Sequence, residues 1–421
     1  MHIYITYILK NSEFIFKIYN KCVIIVIVGG NMKGVIKQIR KNFRDMDRPL
    51  FFITVAMFIF GLLSIVSASS REAVVRYGST LYHYFWRQLA MLIIGFILSL
   101  FIINIPSKKY KSFATMGFIG VNALLIYLWL FGSAHKGAQN WLYIPGFGTF
   151  QPSEFAKPVI IVCLSLLFEK FSKKLNDPKC PKWDMIGMIL LVGLFSAMII
   201  FFQKDLGTMM IIVAIFGVMF LASPLLKEDK LKTIGLLIVV GLVGILGMKA
   251  IKGYVLTDAQ MARFNFFNPC TRYETGGYQV CNGFIALNDG GILGLGIGKS
   301  KQKYSYISEP HTDSIFAIIG EELGFARSSI IFIAYIFILY RILMISSKAS
   351  TIRGKYIALG VAIYMFTHIF LNLGGILGII PLTGVPLPFL SYGGSFTISF
   401  IVALTLVQRV AIETSRAKIN L

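Results

Sequence analysis

The sequence predicts an all-α membrane protein that crosses the bilayer about ten times, with one long connection between the seventh and eighth spans. Three observations predict it. Hydrophobic residues make up 56% of the 421-residue chain and charged residues 14%, and the mean hydropathy is +0.73. Apolar runs of roughly 20 residues, long enough for a hydrocarbon core of about 30 Å, recur along the chain. Basic residues collect in alternate connections between those runs. A polytopic bundle overrides the two or three domains that length alone would suggest.

The expected spans are 50–69, 85–105, 113–132, 153–168, 184–202, 206–223, 231–251, 315–344, 356–380 and 394–411. Lys33, Lys37, Arg40, Lys41, Arg44 and Arg48 precede the first. Lys108, Lys109 and Lys111 lie in the second connection. Lys170, Lys173, Lys174, Lys179 and Lys182 lie in the fourth, and Lys227, Lys230 and Lys232 in the sixth. Lys348, Arg353 and Lys355 lie in the eighth, and Arg409, Arg416 and Lys418 near the end. With ten spans all of these share one side. Residues 32–49 and the tail 412–421 are therefore expected to be cytoplasmic. The formal charge of +22 is accounted for in the same way. No nucleic-acid motif accompanies it, so no nucleic-acid partner is expected.

The connection 252–314 is expected on the outer face, and a connection this long is usually functional. It is rich in glycine, with Gly276-Gly277, Gly290-Gly291, Gly294, Gly296 and Gly298. It also carries Lys299, Lys301 and Lys303. These are either solvated surface charge or a basic surface for an anionic headgroup. The cysteines (Cys22, Cys163, Cys180, Cys270 and Cys281) show no zinc spacing. Cys270 and Cys281 share the long loop, either bonded to one another or as free thiols.

Residues 1–31 fit neither a span nor a signal peptide. Their apolar runs, 4–9 and 23–28, are too short, and no small-residue cleavage site follows. Gly29-Gly30-Asn31-Met32 can be encoded by GGA GGT AAT ATG, a purine-rich ribosome-binding site before a start codon. Met32 is therefore expected to be the start, with 1–31 a non-native or disordered extension. A native peptide spanning residues 29–33 in mass spectrometry would sink that expectation.

Ionisable groups stand out in so apolar a chain, because at membrane depth they are costly. Asp313 lies where the polar stretch Ser308-Glu309-Pro310-His311-Thr312-Asp313 meets a span. It is a site residue or the cap of the helix that starts near Ile315. Glu321, eight residues on, falls near the same helix face, and Glu322 follows it. A structural role for these two, paired with a cation such as Lys157 or with backbone groups, is favoured. Glu154 and Lys157 are three apart on one helix face, a stabilising spacing. Trp141 is placed as an interfacial anchor. Pro381, Gly384, Pro386 and Pro388 break any helix over 381–388. Non-helical backbone at membrane depth lines a cavity or is buried in protein, so this segment is expected at a cavity wall, with Ser391 and Ser395 as polar contacts.

Eight strings occur in order. They are Gly137-Ala138-Gln139-Asn140-Trp141, then Phe150-Gln151-Pro152-Ser153-Glu154-Phe155-Ala156-Lys157, then Gln203-Lys204-Asp205-Leu206-Gly207-Thr208 and Gly277-Tyr278-Gln279. Gly294-Leu295-Gly296-Ile297-Gly298-Lys299-Ser300-Lys301-Gln302-Lys303 follows, then Glu309-Pro310-His311-Thr312-Asp313 with Glu321-Glu322-Leu323-Gly324. The set closes with Pro381-Leu382-Thr383-Gly384-Val385-Pro386-Leu387-Pro388-Phe389-Leu390-Ser391-Tyr392-Gly393-Gly394-Ser395. From about Asp47 to Arg409 the chain resembles the SEDS family (shape, elongation, division and sporulation). Pro310 brings it nearer the FtsW and SpoVE pattern than the RodA pattern.

The resemblance implies a GT-C-like bundle in a bacterial cytoplasmic membrane. It implies a peptidoglycan glycosyltransferase that polymerises lipid II at the outer face, in division or sporulation. The implied partners are a class B penicillin-binding protein and other divisome or elongasome membrane proteins. A lipid II flippase and a non-catalytic scaffold are the alternative readings. Asp313 is the implied catalytic base, taking the proton of the attacking sugar hydroxyl. His311 is an orienting group, and Glu309 steers the acceptor or helps hold a divalent cation (Mg or Mn). The diphosphate leaving group needs positive charge, for which Lys157, Lys204, Lys299, Lys301 and Lys303 are candidates. The resemblance also makes the Glu154–Lys157 pair a substrate-binding candidate and places Trp141 against sugar or lipid. Lys204 stands where the family usually has proline, so Asp205 either caps the next helix or touches substrate.

Overall fold

The computed structural model describes residues 32–78, 80–132, 139–144, 148–253, 261, 266–275, 277–304, 306–307 and 310–419. The extension expected over 1–31 lies outside the described residues. Helices dominate the described residues.

Helix α1 (Met32–Asp45) leads into α2 (Arg48–Tyr77). The start of α2 is set by Asp47, whose carboxylate accepts the Leu50 N–H at 2.9 Å, with Pro49 in the first turn. Its end is set by Gly78 at φ 55°, a left-handed cap. Then come α3 (His83–Ile102) and α4 (Tyr110–Phe131), joined by a 3₁₀ turn over Ser107–Lys109. A two-stranded hairpin, β1 (Leu142–Ile144) against β2 (Gly148–Phe150), precedes α5 (Pro152–Leu175). Next are α6 (Trp183–Phe202), α7 (Leu206–Ala222) and α8 (Lys227–Lys252). After the long connection run α10 (Ile315–Lys348), α11 (Ile352–Ile376) and α12 (Gly394–Ile419).

A helix stands at each of the ten expected spans. Eight are long and apolar enough to cross a membrane by length and composition. The other two are α7, with 17 residues, and α5, which carries Glu154 and Lys157. The last helix runs on to Ile419, so the expected tail is mostly helical.

Burial is graded across the bundle. In α12 and α11, 83% and 72% of the most apolar window is buried; in α8 none is. The core therefore lies around α11, which packs on α10, α5 and α7, and α12, which packs on α3 and α5. The all-round apolar α8 stands at the periphery, suited to lipid on most sides. Pro158 sits inside α5 and cannot bond the carbonyl of Glu154. Ser399 of α12 donates to that carbonyl instead, at 2.7 Å.

Two described parts of the connection 252–314 are helical. They are a 3₁₀ segment (Pro269–Thr275) and α9 (Tyr278–Gly290), and Cys270 is bonded to Cys281. Gly290 and Gly294 have a steric cause. Residues 291–296 run against the backbone of α10: Leu295 and Gly296 donate to the carbonyls of Glu321 and Glu322 at 3.0 and 2.9 Å. Phe325 donates back to Gly291 at 2.8 Å. A Cβ at Gly294 would lie 2.3 Å from the Glu322 carbonyl oxygen. On the other side of this contact, Gly324 interrupts α10 at φ 76°, ψ 174°, a conformation open essentially to glycine alone.

Candidate active site

Asp313 lies one residue before the cap position of α10. That position is Ser314, which makes no side-chain cap bond; its hydroxyl accepts the Gln279 side-chain amide of α9 at 2.8 Å. The turn 310–314 is clamped from the opposite side by the proline-rich segment. Ser391 donates to the Thr312 carbonyl at 2.5 Å while accepting the Leu387 N–H at 2.8 Å. Tyr392 N–H donates to the His311 carbonyl at 2.8 Å. Asn372, on α11, donates to the carbonyls of Asp313 and Val385, each at 2.7 Å. The Asp313 carboxylate is half-buried. It faces Gly384, where an added Cβ would lie 3.7 Å from it. The segment 381–388 is irregular backbone, as its prolines require, and it forms one wall of this turn.

His311 is buried beside Asp313. Its Nδ1 is 3.2 Å from the Glu72 carboxylate of α2, and its ring packs on Tyr84 at 4.2 Å between centroids. Glu309 lies outside the described residues.

Glu154 and Lys157 form a fully enclosed ion pair at 2.7 Å. The Lys157 ammonium also donates to His368 Nε2 at 3.1 Å, and His368 Nδ1 is 3.0 Å from the Pro386 carbonyl. A carbonyl only accepts, so the proton of His368 is on Nδ1 and Nε2 is free to receive Lys157. Lys157 thus reaches the backbone of the proline-rich segment through one imidazole.

Asp205 is the cap of α7, accepting from Thr208 N–H at 3.1 Å and Thr208 hydroxyl at 3.0 Å. It also accepts the side-chain amides of Asn140 (2.6 Å) and Gln151 (3.2 Å). The Gln151 N–H donates to Ser395 at 3.0 Å. Lys204 takes φ 65°, which the proline ring forbids, so this turn does depart from one built with proline.

Glu321 and Glu322 do not pair with Lys157. Glu321 accepts the Ser300 hydroxyl (2.5 Å) and the N–H groups of Lys301 (2.8 Å) and Gln302 (3.3 Å). Glu322 accepts the Ser67 hydroxyl at 2.6 Å and pairs with Lys303 at 3.2 Å. The Lys303 ammonium donates further to the Gly298 carbonyl at 2.8 Å, and its side chain is buried. Together they pin residues 298–303 to α10. Lys299 and Lys301 remain exposed on that loop, and Trp141 is exposed beside the hairpin.

Sequence reasoning named His311, Asp313, Ser391 and the 381–388 segment as separate candidates, and the fold brings them together. It missed Asn372, His368, Glu72 and Ser67. A signal existed for two of these: His368 and Asn372 are four apart in an apolar helix, so they share a face that must turn inward. Among the described residues no group of three or more His, Cys, Asp or Glu side chains converges as for a metal ion.

A family model described as cell cycle protein (FtsW, RodA, SpoVE) matches residues 48–416. A Bacillus subtilis (strain 168) protein named "Probable peptidoglycan glycosyltransferase FtsW" is 35% identical over 367 residues, covering 85% of this chain and 88% of the relative. A solved chain from work on the coordination of polymerization and crosslinking by a peptidoglycan synthase complex aligns with TM-score 0.66 at 22% identity. That alignment covers 87% of this chain and 97% of the other. The rod shape determining protein RodA of Thermus thermophilus aligns with TM-score 0.61 at 22% identity, over 87% and 96%. With these strings in order, this bundle and a model match over most of its length, the chain belongs to the FtsW/RodA/SpoVE family of membrane proteins.

Proposed function

We propose that this chain is a peptidoglycan glycosyltransferase that polymerises lipid II at the outer face of a bacterial cytoplasmic membrane, in division or sporulation. The observation that carries the proposal is the fixed Asp313 turn. A carboxylate is held at the end of a membrane helix by bonds from Asn372, Ser391 and Tyr392 to the backbone around it. In this reading a sugar hydroxyl of the acceptor attacks the anomeric carbon of the donor. The Asp313 carboxylate takes the hydroxyl proton, and the bond to undecaprenyl diphosphate breaks. Lys299 and Lys301 are the exposed cations of the adjoining loop and meet the diphosphate, whereas Lys157 and Lys303 are satisfied inside the bundle.

Both termini and the basic connections lie on the cytoplasmic side, which puts Asp313, Trp141 and the loop 252–314 outside. A class B penicillin-binding protein crosslinks the product. Transport is the weaker reading, because Glu321 and Glu322 hold the 298–303 loop instead of lining a polar path. Lipid II polymerisation by the chain with its penicillin-binding partner, crosslinking blocked, tests the reading. Glycan strands are expected; an intact complex that makes none and moves lipid II across vesicles would replace it with transport.

A further inference from the structure

A cleft of about 240 Å³ opens at the end of the bundle opposite Asp313, between the start of α2, the end of α10 and the end of α12. Its lining is graded. Met344, Ile345 and Ala411 lie towards the bundle, Thr414 and Ser415 above them, and Lys348 and Lys418 further along the same helices. The α12 members, at 411, 414, 415 and 418, have the spacing of one helix face.

The cleft also touches two carboxylates, and both are neutralised. Asp45 is paired with Arg416 at 2.7 Å and Arg44 at 3.3 Å, and Asp47 with Arg341. Asp47 is held further by Gln408, which accepts its N–H at 3.0 Å and donates to its carbonyl at 3.0 Å. Thr414 accepts the Ser350 N–H at 3.3 Å. The walls are thus fixed by their own bonds. Lys348 and Lys418 are exposed, and among the described residues neither is paired with a carboxylate. Five cations against two anions leave a net positive site, with hydroxyls below the cations and apolar side chains below those.

We infer that this cleft binds the headgroup of an anionic phospholipid. The phosphate sits between the Lys348 and Lys418 ammoniums, within reach of the Ser415 hydroxyl, and the acyl chains follow Met344 and Ile345 along α10. Basic side chains at a membrane surface draw anionic lipid, and a pocket between helices makes the attraction site-specific. A soluble anion would match the lysines but leave the apolar floor bare. An acidic peptide would need a run of carboxylates for which the site offers only two unpaired cations. The inference concerns the face away from Asp313, and it stands whether or not the chain polymerises lipid II.

The test titrates dioctanoyl phosphatidylglycerol into the full-length detergent-purified protein and reads binding by native mass spectrometry. Dioctanoyl phosphatidylcholine, inorganic phosphate and hexaglutamate are titrated in parallel. Saturable binding of the anionic lipid alone is expected. Lys348→Gln/Lys418→Gln should weaken it roughly ten- to thirty-fold. Lys173→Gln/Lys174→Gln, which removes two exposed cations at the end of α5, should leave it unchanged. Undiminished binding by the Lys348/Lys418 variant, or equal binding of the choline lipid, would overturn the inference. So would phosphate or hexaglutamate binding with that lysine dependence in place of the lipid.

Discussion

Asn372 donates from one side-chain nitrogen to two carbonyls, those of Asp313 and Val385, at 2.7 Å each. The first belongs to the turn before α10 and the second to the proline-rich wall. Asn372 is buried in α11, in the most enclosed part of the bundle. One side chain therefore sets the spacing between the Asp313 turn and the segment facing it.

Asn372→Ala should leave both carbonyls without that partner, at about 1–3 kcal/mol for each buried group orphaned. Misplacing a reacting group by about 1 Å can cost roughly a hundred-fold. Polymerisation is expected to fall roughly ten- to a hundred-fold while the protein still elutes as a folded species. An unchanged rate would remove Asn372 as a positioning residue.

The Lys303–Glu322 pair makes a stability prediction. Both side chains are buried, so removing one leaves an uncompensated charge, at about 3–5 kcal/mol. Lys303→Met or Glu322→Leu should each lower the thermal midpoint markedly. Lys303→Met/Glu322→Leu should cost less than the two single losses added together. Strict additivity in the double variant would mean that the pair is not a unit.

The Cys270–Cys281 bond holds the 3₁₀ segment to α9, and α9 reaches Ser314 through Gln279. Closing a loop of 11 residues of separation restricts the opened state, which corresponds to roughly a hundred-fold in a local opening equilibrium. Hydrogen exchange in α9 should accelerate by about that factor after reduction or in Cys270→Ser/Cys281→Ser. Equal exchange in both states would show that packing alone orders the loop.

On the opposite face, burial pushes the Asp45 carboxyl up, but Arg416 and Arg44 outweigh it and hold the group below its ordinary range. A lowered folded value means stability that is present above the unfolded value and lost as pH falls through the folded one. Wild type should therefore lose thermal stability on acidification below the carboxylate range. Asp45→Asn should start lower at neutral pH and converge with wild type in acid. A constant gap between the two curves would contradict the assignment.

Much of this architecture is legible in the sequence. Length and hydropathy placed all ten helices, because a span needs about 20 apolar residues whatever its partners. The turn around Asp313 and the irregular 381–388 segment were legible because proline and a charge next to a span admit few arrangements. What stayed hidden depends on pairings distant in sequence. Glu322 meets Ser67 across 255 positions, and Lys157 meets His368 across 211. Nothing local to Glu321 distinguishes a lysine partner from backbone N–H groups. Nor does periodicity reveal that Gly294 and Gly324 abut.

The most direct measurement is a lipid II polymerisation gel on the protein with its penicillin-binding partner, crosslinking blocked, comparing wild type with Asp313→Asn and Asp313→Ala. Loss of a general base typically lowers the rate by about 10²–10⁴. Strands in wild type, and none above that residual level in either variant, are the predicted result. Strands of undiminished yield from both variants would contradict the assignment of Asp313 as the base.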